Sequence, residues 1–127
     1  MADNKEPKVT GIGGIFFFSD NPKETKEWYA KNLGFEFSEW GSSSFDSLQW
    51  TPFKKGSEYF VPSKKDFMIN YRVQNIEGLV KKLKENGVTI VDDMETVDFG
   101  KFIHIMDGEG NKIELWEPVD EVRKIGK

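Results

Sequence analysis

Hydrophobic positions along the chain repeat at two spacings, one typical of strands and one typical of helices. Residues Val9 to Ser19 form an almost continuous apolar segment, which predicts a buried strand. Asp20-Asn21-Pro22 then favours a helix start, because Asp and Asn cap helices and proline suits the first helical position. Apolar residues follow at helical spacing as far as Leu33, and Gly34 predicts the end of this helix.

The same order of elements occurs a second time. Phe67 to Val73 predicts a strand, and Asn75 precedes a helix with apolar residues on one face. The segments 31–37 and 84–90 align at a constant offset of 53 residues, and each combines a helix end, a glycine and a strand start. Further strands are predicted at Phe35–Trp40, Phe45–Thr51, Glu58–Val61, Val88–Val91, Phe99–Met106 and Lys112–Trp116. The chain therefore predicts an α+β fold made of two tandem βαβββ modules.

The 127 residues are predicted to form a single domain. Residues 1–8 are a polar leader, residues 9–118 are the domain, and residues 119–127 are a charged tail. The two modules are assigned to residues 9–63 and 66–118. Each module has only about 55 residues, which is too few for an independent core, so the two are expected to fold together.

Composition excludes several classes of function. A net charge of −4 argues against a general nucleic-acid binder, which would carry a basic face. The longest apolar run, residues 15–18, is far shorter than the ~18 residues of a membrane span, and the polar start lacks a secretory signal. We therefore expect a cytoplasmic protein without a membrane partner. The absence of cysteine excludes a thiol nucleophile, and a single histidine, His104, limits metal and acid–base chemistry.

Several motifs together carry a family resemblance. The first half contains Asp20-Asn21-Pro22, Trp28-Tyr29 and Asn32-Leu33-Gly34-Phe35. The second half contains Tyr71-Arg72-Val73, the segment 83–88, and the segment 106–115, which reads Met-Asp-Gly-Glu-Gly-Asn-Lys-Ile-Glu-Leu. Over residues 9–118 the chain resembles the glyoxalase/bleomycin-resistance/extradiol-dioxygenase superfamily, also called the vicinal oxygen chelate superfamily. The last segment is similar to the signature Asp-Pro-x-Gly-Asn-x-Ile-Glu-Leu of that family, with Gly108 in place of proline.

The resemblance implies a curved mixed sheet around a pocket, with the helices outside. In short members of the family a second chain often completes the pocket, so a homodimer is expected. The resemblance also implies four metal ligands, one from each of four strands. Glu114 matches one of them, whereas the others fall at or next to Gly13, at Met68, and near Tyr59 or Phe60. Glycine offers no ligand and methionine is too soft for the metals of a His/carboxylate site. The usual metal site, a metal cofactor and glyoxalase I activity are therefore not expected.

Strand alternation predicts which side chains face the pocket. Apolar residues packed under the helices leave the intervening residues on the pocket side. Glu114 and His104 are the candidate catalytic residues, acting as an acid–base pair or, in the alternative, as ligands of a rebuilt site for a divalent metal ion. Their structural alternatives are a carboxylate held by a nearby cation and an inert histidine at the pocket rim. The other predicted pocket residues are Gly13, Ile15, Phe17, Met68, Asn70, Arg72, Phe102, Met106, Lys112 and Trp116.

Two groups of residues are candidates for ligand binding. Arg72, with Asn70 beside it, would anchor a carboxylate or phosphate of a ligand, unless Arg72 forms an internal salt bridge with Glu114 or Glu39. The second group is an aromatic wall for a flat ligand, with core packing as its alternative. This wall would consist of Trp40, Trp50, Phe102, Met106 and Trp116.

Three functions remain open at this point. The first is a protein that binds a small planar or anionic molecule without a metal and without turnover. The second is a metal-free or rebuilt-site lyase, isomerase or dioxygenase-like enzyme that uses Glu114 and His104. The third is an interaction module whose pocket is filled by its own side chains. The sequence leaves open whether the protein is an enzyme.

Overall fold

The secondary structure begins with a long strand and alternates strands with helices. A computed structural model of the protein describes residues 5–119. Its helices are α1 (Pro22–Leu33), α2 (Ile76–Glu85) and a short 3-10 helix at Glu58–Phe60. Its strands are β1 (Lys8–Ser19), β2 (Ser43–Phe45), β3 (Leu48–Lys54), β4 (Phe67–Gln74), β5 (Glu95–Val97), β6 (Gly100–Met106) and β7 (Lys112–Pro118). Within these residues, no helix has the length and apolar character needed to cross a membrane.

One mixed sheet contains all seven strands of the described residues. Their order is β2-β3-β1-β4-β7-β6-β5. Each half of the chain contributes a parallel pair, β1 with β3 and β4 with β7, and β1 and β4 join the halves as antiparallel neighbours. The segment that connects the two strands of each parallel pair contains a helix, because parallel neighbours need a crossover connection. The predicted α+β class is therefore confirmed.

Both helices pack against the same face of the sheet. Asn21 and Asn75 cap them as predicted, because their side chains accept hydrogen bonds from the backbone N–H groups of Glu24 and Gly78. Helix α1 buries no side chain completely and meets the sheet through Tyr29, whose ring lies 4.6 Å from that of Trp50. Helix α2 contributes much more to the main core, which consists of Val73, Ile76, Leu79, Val80, Ile103, Ile105 and Leu115.

The opposite face of the sheet is strongly concave. Strands β3 and β6 lie four strand steps apart, which in a flat sheet would separate them by roughly 19 Å. The ring of Tyr59 nevertheless contacts both strands, at 5.6 Å from Phe53 on β3 and 5.3 Å from His104 on β6 between ring centroids. The two ends of the sheet therefore curve towards each other, and side chains from both halves meet on the concave face.

Three predicted strands are wrong. Phe35–Trp40 contains no strand, and Glu58–Val61 contains the 3-10 helix instead. Val88–Val91 forms only an isolated bridge between Ile90 and Ile105. The first half of the chain consequently has three strands, and the segment after β3 is free to fold over the concave face.

A hairpin interrupts the predicted strand Phe45–Thr51. Asp46 and Ser47 both have positive φ angles, 49° and 72°, and connect β2 to β3 in a two-residue turn. Such turns usually have glycine at the second position, where this chain has Ser47, so the pattern does not predict this turn. The short strand β5 was not predicted.

Part of the predicted layout lies outside the described residues. This applies to residues 1–4 of the leader and residues 120–127 of the tail. The boundaries of the domain at 9–118 and of its modules stay predictions.

Replacing Gly34 with alanine is expected to reduce the free energy of unfolding by about 1 kcal/mol. Gly34 ends α1 with a left-handed φ of 74°, and an added Cβ would meet no atom within 4 Å, so the cost is conformational alone. Gly87, which ends α2 at the equivalent position with φ 77°, should give a loss of the same size. Gly108→Ala is the control, because Gly108 has neither a positive φ nor a close neighbour. Urea unfolding of the three variants measures the difference, and equal stability of all three would contradict it.

Candidate functional site

A cluster of polar side chains surrounds Glu114 on the concave face. Glu114 lies on β7 opposite His104 on β6 and beside Asn70 on β4, and it is only 3% exposed. The Nδ2 of Asn70 donates a hydrogen bond to Oε1 of Glu114 at 2.6 Å. The Nε2 of His104 lies 2.8 Å from Oε2, and the hydroxyl of Tyr59 donates to the same oxygen. Three donors therefore converge on one buried carboxylate.

Asp92 holds His104 from its other side. One carboxylate oxygen of Asp92 accepts from the backbone N–H of His104 at 2.8 Å, and the other lies 2.6 Å from Nδ1 of the ring. The backbone N–H of Val91 also donates to the carbonyl of His104. Asp92 keeps 43% of its side chain exposed, whereas Glu114 keeps 4%. Asp92, His104 and Glu114 thus form a continuous hydrogen-bonded series from solvent to a buried carboxylate.

The electrostatic balance favours a protonated His104. Burial alone would lower the pKa of His104, but the hydrogen bonds and charges of Glu114 and Asp92 outweigh burial and raise it. Both ring nitrogens face carboxylates, which accept but cannot donate when ionised, so a doubly protonated ring satisfies both contacts. The same surroundings act on Tyr59, where burial and then the charge of Glu114 raise the pKa of the phenol. Tyr59 therefore stays a hydrogen-bond donor.

Lys112 supplies a buried cation next to this cluster. Its ammonium donates to the backbone carbonyl of Tyr59 at 2.5 Å and lies 5.2 Å from the centroid of the Tyr59 ring. Burial lowers the pKa of Lys112, while the charges of Asp92 and Glu114 partly oppose that shift. Lys112 links the 3-10 segment to the floor of the concave face.

A second group extends the concave face towards Arg72. Trp116 pairs in register with both Phe102 and Arg72, and its ring stacks on Phe102 at 5.7 Å with an interplanar angle of 5°. The guanidinium of Arg72 donates to the backbone carbonyl of Asp46 at 3.2 Å. No carboxylate of residues 5–119 lies within ion-pair distance of Arg72, so the predicted alternative of a salt bridge to Glu114 or Glu39 is wrong.

The structure brings most of the predicted site residues together. Glu114, His104 and Asn70 are in direct contact, and Phe102 and Trp116 stack nearby. The remaining predicted residues on the same face, by strand register, are Met68, Arg72, Met106 and Lys112.

Two predicted wall residues do not belong to this face. Trp50 lies on the helix side, where it packs against Tyr29 and Phe35, because its strand neighbour Ile15 points to that side. Trp40 sits in the turn before β2 and is 83% exposed. The predicted wall residues that do lie on the concave face therefore all come from the second half, and core packing is the correct interpretation of Trp50.

A β-bulge explains the error on the first strand. The register between β1 and β4 shifts between Ile12 and Gly14, so the alternation of faces reverses at Gly13. Gly13 faces the site as predicted, but Ile15 and Phe17 face the helices. Phe16 and Phe18 take the concave face instead, where Phe18 stacks on Phe60 at 4.6 Å.

Two residues of the cluster, Tyr59 and Asp92, are not among the predicted catalytic or ligand-binding residues, although Tyr59 lies near one of the ligand positions that the resemblance implies. Tyr59 lies within Glu58–Val61, where the pattern predicts a strand and the structure has a 3-10 helix, and Asp92 lies in an irregular loop between the isolated bridge and β5. A pair of acidic residues directly after the apolar segment 88–91 is the one signal that pointed to Asp92.

The side chains at the expected ligand positions do not fit the metal that the fold family implies. A Cβ at Gly13 would lie 2.2 Å from Oδ1 of Asn70 and 3.0 Å from Trp116, so the asparagine occupies the space of a ligand from β1. Met68 is completely buried and offers only a thioether. Among residues 5–119, no group of three or more histidines and acidic residues is arranged to hold a metal ion. We therefore derive no chemistry through a metal at this site.

Comparison with known families agrees with this fold. A family profile described as Glyoxalase/Bleomycin resistance protein/Dioxygenase superfamily matches residues 11–115, which is most of the chain. The chain belongs to this superfamily. Among curated proteins, none matches the sequence.

Solved structures of the superfamily share the architecture at low sequence identity. Methylmalonyl-CoA epimerase from Mycobacterium tuberculosis is 19% identical with a TM-score of 0.67, over 98% of this chain and 99% of that one. A glyoxalase/bleomycin resistance protein/dioxygenase superfamily member from Vibrio splendidus is 13% identical with a TM-score of 0.59, over 88% and 99% of the two chains. The Mn(II)-bound glyoxalase from Novosphingobium aromaticivorans is 13% identical with a TM-score of 0.63, over 88% of this chain and 40% of that one. At this identity the likeness concerns the fold alone.

We predict that the pKa of His104 in the folded protein lies above its ordinary value of about 6.5. The carboxylates of Glu114 and Asp92 are the cause, so Glu114→Gln and Asp92→Asn should each lower it. Because the pKa of His104 is raised in the folded state, its contacts with Glu114 and Asp92 add to the free energy of unfolding. This contribution is complete below about pH 6.5, the ordinary pKa of histidine, and it is lost as the pH rises through the folded-state pKa. The chain has one histidine, so a single imidazole signal in two-dimensional NMR reports the titration without assignment.

Urea unfolding between pH 6 and 9 gives the matching stability measurement, with His104→Gln as the control that lacks the titration. A folded-state pKa at or below 6.5 would contradict the prediction.

Proposed function

We propose that this protein is a metal-independent enzyme that moves protons at carbon, of the isomerase or lyase type, with Glu114 as its base. The substrate class is a small anionic molecule with a carbonyl group. The observation that carries this proposal is the hydrogen-bonded series from the exposed Asp92 through His104 to the buried Glu114.

A proton path to solvent separates this arrangement from a passive binding site. A binder needs a complementary surface, but it has no need to exchange protons with water. A base that removes a proton from carbon must later release it or return it to another position. His104 lies in direct hydrogen-bond contact with the base, and Asp92 connects the ring to solvent. These contacts support the proposal of a general base with a proton relay.

The first chemical step assigns a role to each side chain. Glu114 takes a proton from the carbon next to the carbonyl, and the electron pair of the broken C–H bond forms the enolate. Asn70 fixes the orientation of the carboxylate through Oε1, which leaves Oε2 on the side of His104. An isomerase then returns the proton to a different face or position, whereas a lyase expels a leaving group from the neighbouring carbon.

Arg72 supports the anionic part of the proposal. Its guanidinium has no carboxylate partner within residues 5–119. Arg72 lies two residues along β4 from Asn70, on the same face. Arginine recognises carboxylates and phosphates through paired hydrogen bonds. Trp116 and Phe102 beside it supply a flat apolar surface for the rest of the molecule.

Hydrogen exchange in D₂O tests the step that isomerases and lyases share. A panel of small oxo acids and acyl thioesters that carry a carboxylate would be incubated with the protein, and loss of the C–H signal followed by proton NMR. We expect at least one compound to exchange, with a rate that falls roughly 10²–10⁴-fold in Glu114→Gln. Exchange should persist after treatment with a chelator.

The matched control is Glu109→Gln, which changes an exposed glutamate in the turn before β7 and should leave the rate unchanged. Equal exchange by the protein and by Glu114→Gln would contradict the role of Glu114. Loss of exchange on chelation, with recovery on adding a divalent metal, would contradict metal independence and favour the rebuilt metal site.

One observation favours a second function, a binding protein without turnover. The carboxylate of Glu114 is already hydrogen-bonded by Asn70, His104 and Tyr59, which is typical of a stable internal contact. Under this alternative a planar or anionic ligand binds saturably but no compound exchanges its C–H proton. The homodimer and the cytoplasmic location expected from the sequence stay predictions, and light scattering of the purified protein tests the former.

A further inference from the structure

The side chain of Tyr59 occupies the part of the concave face that faces Glu114. Its ring stacks on Phe53 at 5.6 Å with an interplanar angle of 9°, and it lies perpendicular to the imidazole of His104, with the ring centroids 5.3 Å apart. The ammonium of Lys112 lies 5.2 Å from the ring centroid, and the hydroxyl donates to Glu114. The phenol is thus contacted by two rings, by an ammonium and, through its hydroxyl, by a carboxylate, which is how a pocket recognises a bound molecule.

Tyr59 nevertheless remains partly open to solvent. It is 40% exposed, whereas its neighbour Phe60 is 1% exposed and stacks on Phe18. The backbone turn is held locally, by a bond from the N–H of Val61 to the carbonyl of Glu58 and by the cap at Ser57. Phe60 therefore anchors the segment, and the ring of Tyr59 can leave Glu114 by side-chain rotation without movement of that anchor.

Removal of the ring would leave a site with defined requirements. Glu114 accepts a hydrogen bond at Oε2, and the face of Phe53 accepts a flat ring or double bond. The ammonium of Lys112 favours a ligand whose ring or double bond is electron-rich and lies against it, as the Tyr59 ring does. The pKa of the phenol is raised in this position, so a neutral O–H is the form that the site accommodates.

We infer that Tyr59 is an internal stand-in for the ligand, and that the ligand is a planar molecule with a neutral phenol or enol hydroxyl that displaces the Tyr59 ring from Glu114. An enol presents the same flat C=C–O–H group as a phenol. The inference deepens the proposed function, because enols are the protonated form of the enolates that the first step produces. It rests on that proposal only for the position of the ligand at Glu114.

The test uses 4-methylphenol, which reproduces the tyrosine side chain and has no carbon acid to exchange. The protein contains three tyrosines, so labelling with 3-fluorotyrosine gives three fluorine NMR signals, and Tyr59→Phe identifies the one from Tyr59. Titration with 4-methylphenol should shift the signal of Tyr59 towards that of an exposed tyrosine, while the signals of Tyr29 and Tyr71 stay in place. Toluene, which lacks the hydroxyl, should cause no shift.

Tyr59→Ala provides the complementary measurement by calorimetry. The variant should bind 4-methylphenol about tenfold or more tightly than the wild type, because the wild type must first break a hydrogen bond to a charged group. The added substitution Glu114→Gln should weaken that binding about tenfold. If Tyr59→Ala does not fold, the fluorine titration of the wild type still decides the matter.

Three outcomes would overturn the inference. In the first, 4-methylphenol saturates the protein but the fluorine signal of Tyr59 does not shift. In the second, toluene binds as tightly as 4-methylphenol. In the third, neither the wild type nor Tyr59→Ala binds 4-methylphenol. Failure of the proposed function is a separate result: displacement of Tyr59 without C–H exchange by any carbonyl compound leaves the ligand class standing and removes the enzyme. C–H exchange without displacement of Tyr59 would leave the proposed enzyme standing and overturn the inference about the ligand class.

Discussion

Glu114→Ala should lower the free energy of unfolding by about 3–5 kcal/mol, because it removes the acceptor shared by three buried or half-buried donors. The imidazole of His104 would lose one of its two carboxylate partners, and the amide of Asn70 and the hydroxyl of Tyr59 would lose theirs. Unsatisfied polar groups in a buried position carry their full desolvation cost. Urea unfolding at pH 7 measures the loss, and we expect the m value of the variant to equal that of the wild type.

Glu109→Ala serves as the matched control and should change stability by less than about 0.5 kcal/mol, since Glu109 is exposed. Glu114→Gln keeps one acceptor oxygen and should fall between the two variants. A loss in Glu114→Ala no larger than that of the control would show that the cluster does not stabilise the fold, and the assignment of its hydrogen bonds would then be wrong.

The second large effect is expected at Gly13, where alanine should cost roughly 2–4 kcal/mol. The added Cβ would lie 2.2 Å from Oδ1 of Asn70 and 3.0 Å from Trp116 and Arg72, in a tightly packed region. Asn70 must then move away, which breaks its hydrogen bond to Glu114. The loss therefore combines overpacking with a broken charge-assisted hydrogen bond.

A double-mutant cycle checks the cause. Asn70→Ala removes the side chain that the new methyl group meets, so Gly13→Ala should cost much less in that background than in the wild type. Gly108→Ala, with no atom within 4 Å of the added carbon, is the control for the substitution itself. Simple additivity of Gly13→Ala and Asn70→Ala would contradict the contact between them.

The second half of the chain followed the sequence pattern closely. On β4, β6 and β7 each of the polar residues Asn70, His104 and Glu114 lies between two apolar or aromatic neighbours, so alternation predicts all three on one face. The register of the final hairpin places His104 opposite Glu114. Apolar residues occur on both faces of β1, and the bulge at Gly13 reverses the alternation without any signal except glycine. For that reason alternation predicts Ile15 and Phe17 on the wrong face.

Tyr59 and Asp92 could not be placed for a different reason. Tyr59 lies on a 3-10 helix of three residues and Asp92 lies in an irregular loop, and both segments are too short or too irregular for periodicity to relate sequence position to side-chain direction. Their contacts with Glu114 and His104 depend on the curvature of the sheet, which brings β3 and β6 together, and on a bridge between Ile90 and Ile105. Curvature is a property of the whole sheet, so no local segment encodes it.

The unequal burial of the two helices has a consequence for local unfolding. Helix α2 places Ile76, Leu79 and Val80 in the core, whereas α1 buries no side chain completely. Regions with few buried apolar contacts open at lower free energy than the rest of a domain. Amide hydrogens of α1 should therefore exchange through local opening, whereas those of α2, β6 and β7 should exchange only through global unfolding. Glu114, His104 and Asn70 all belong to the half that stays closed, so their hydrogen bonds to one another should persist while α1 opens locally.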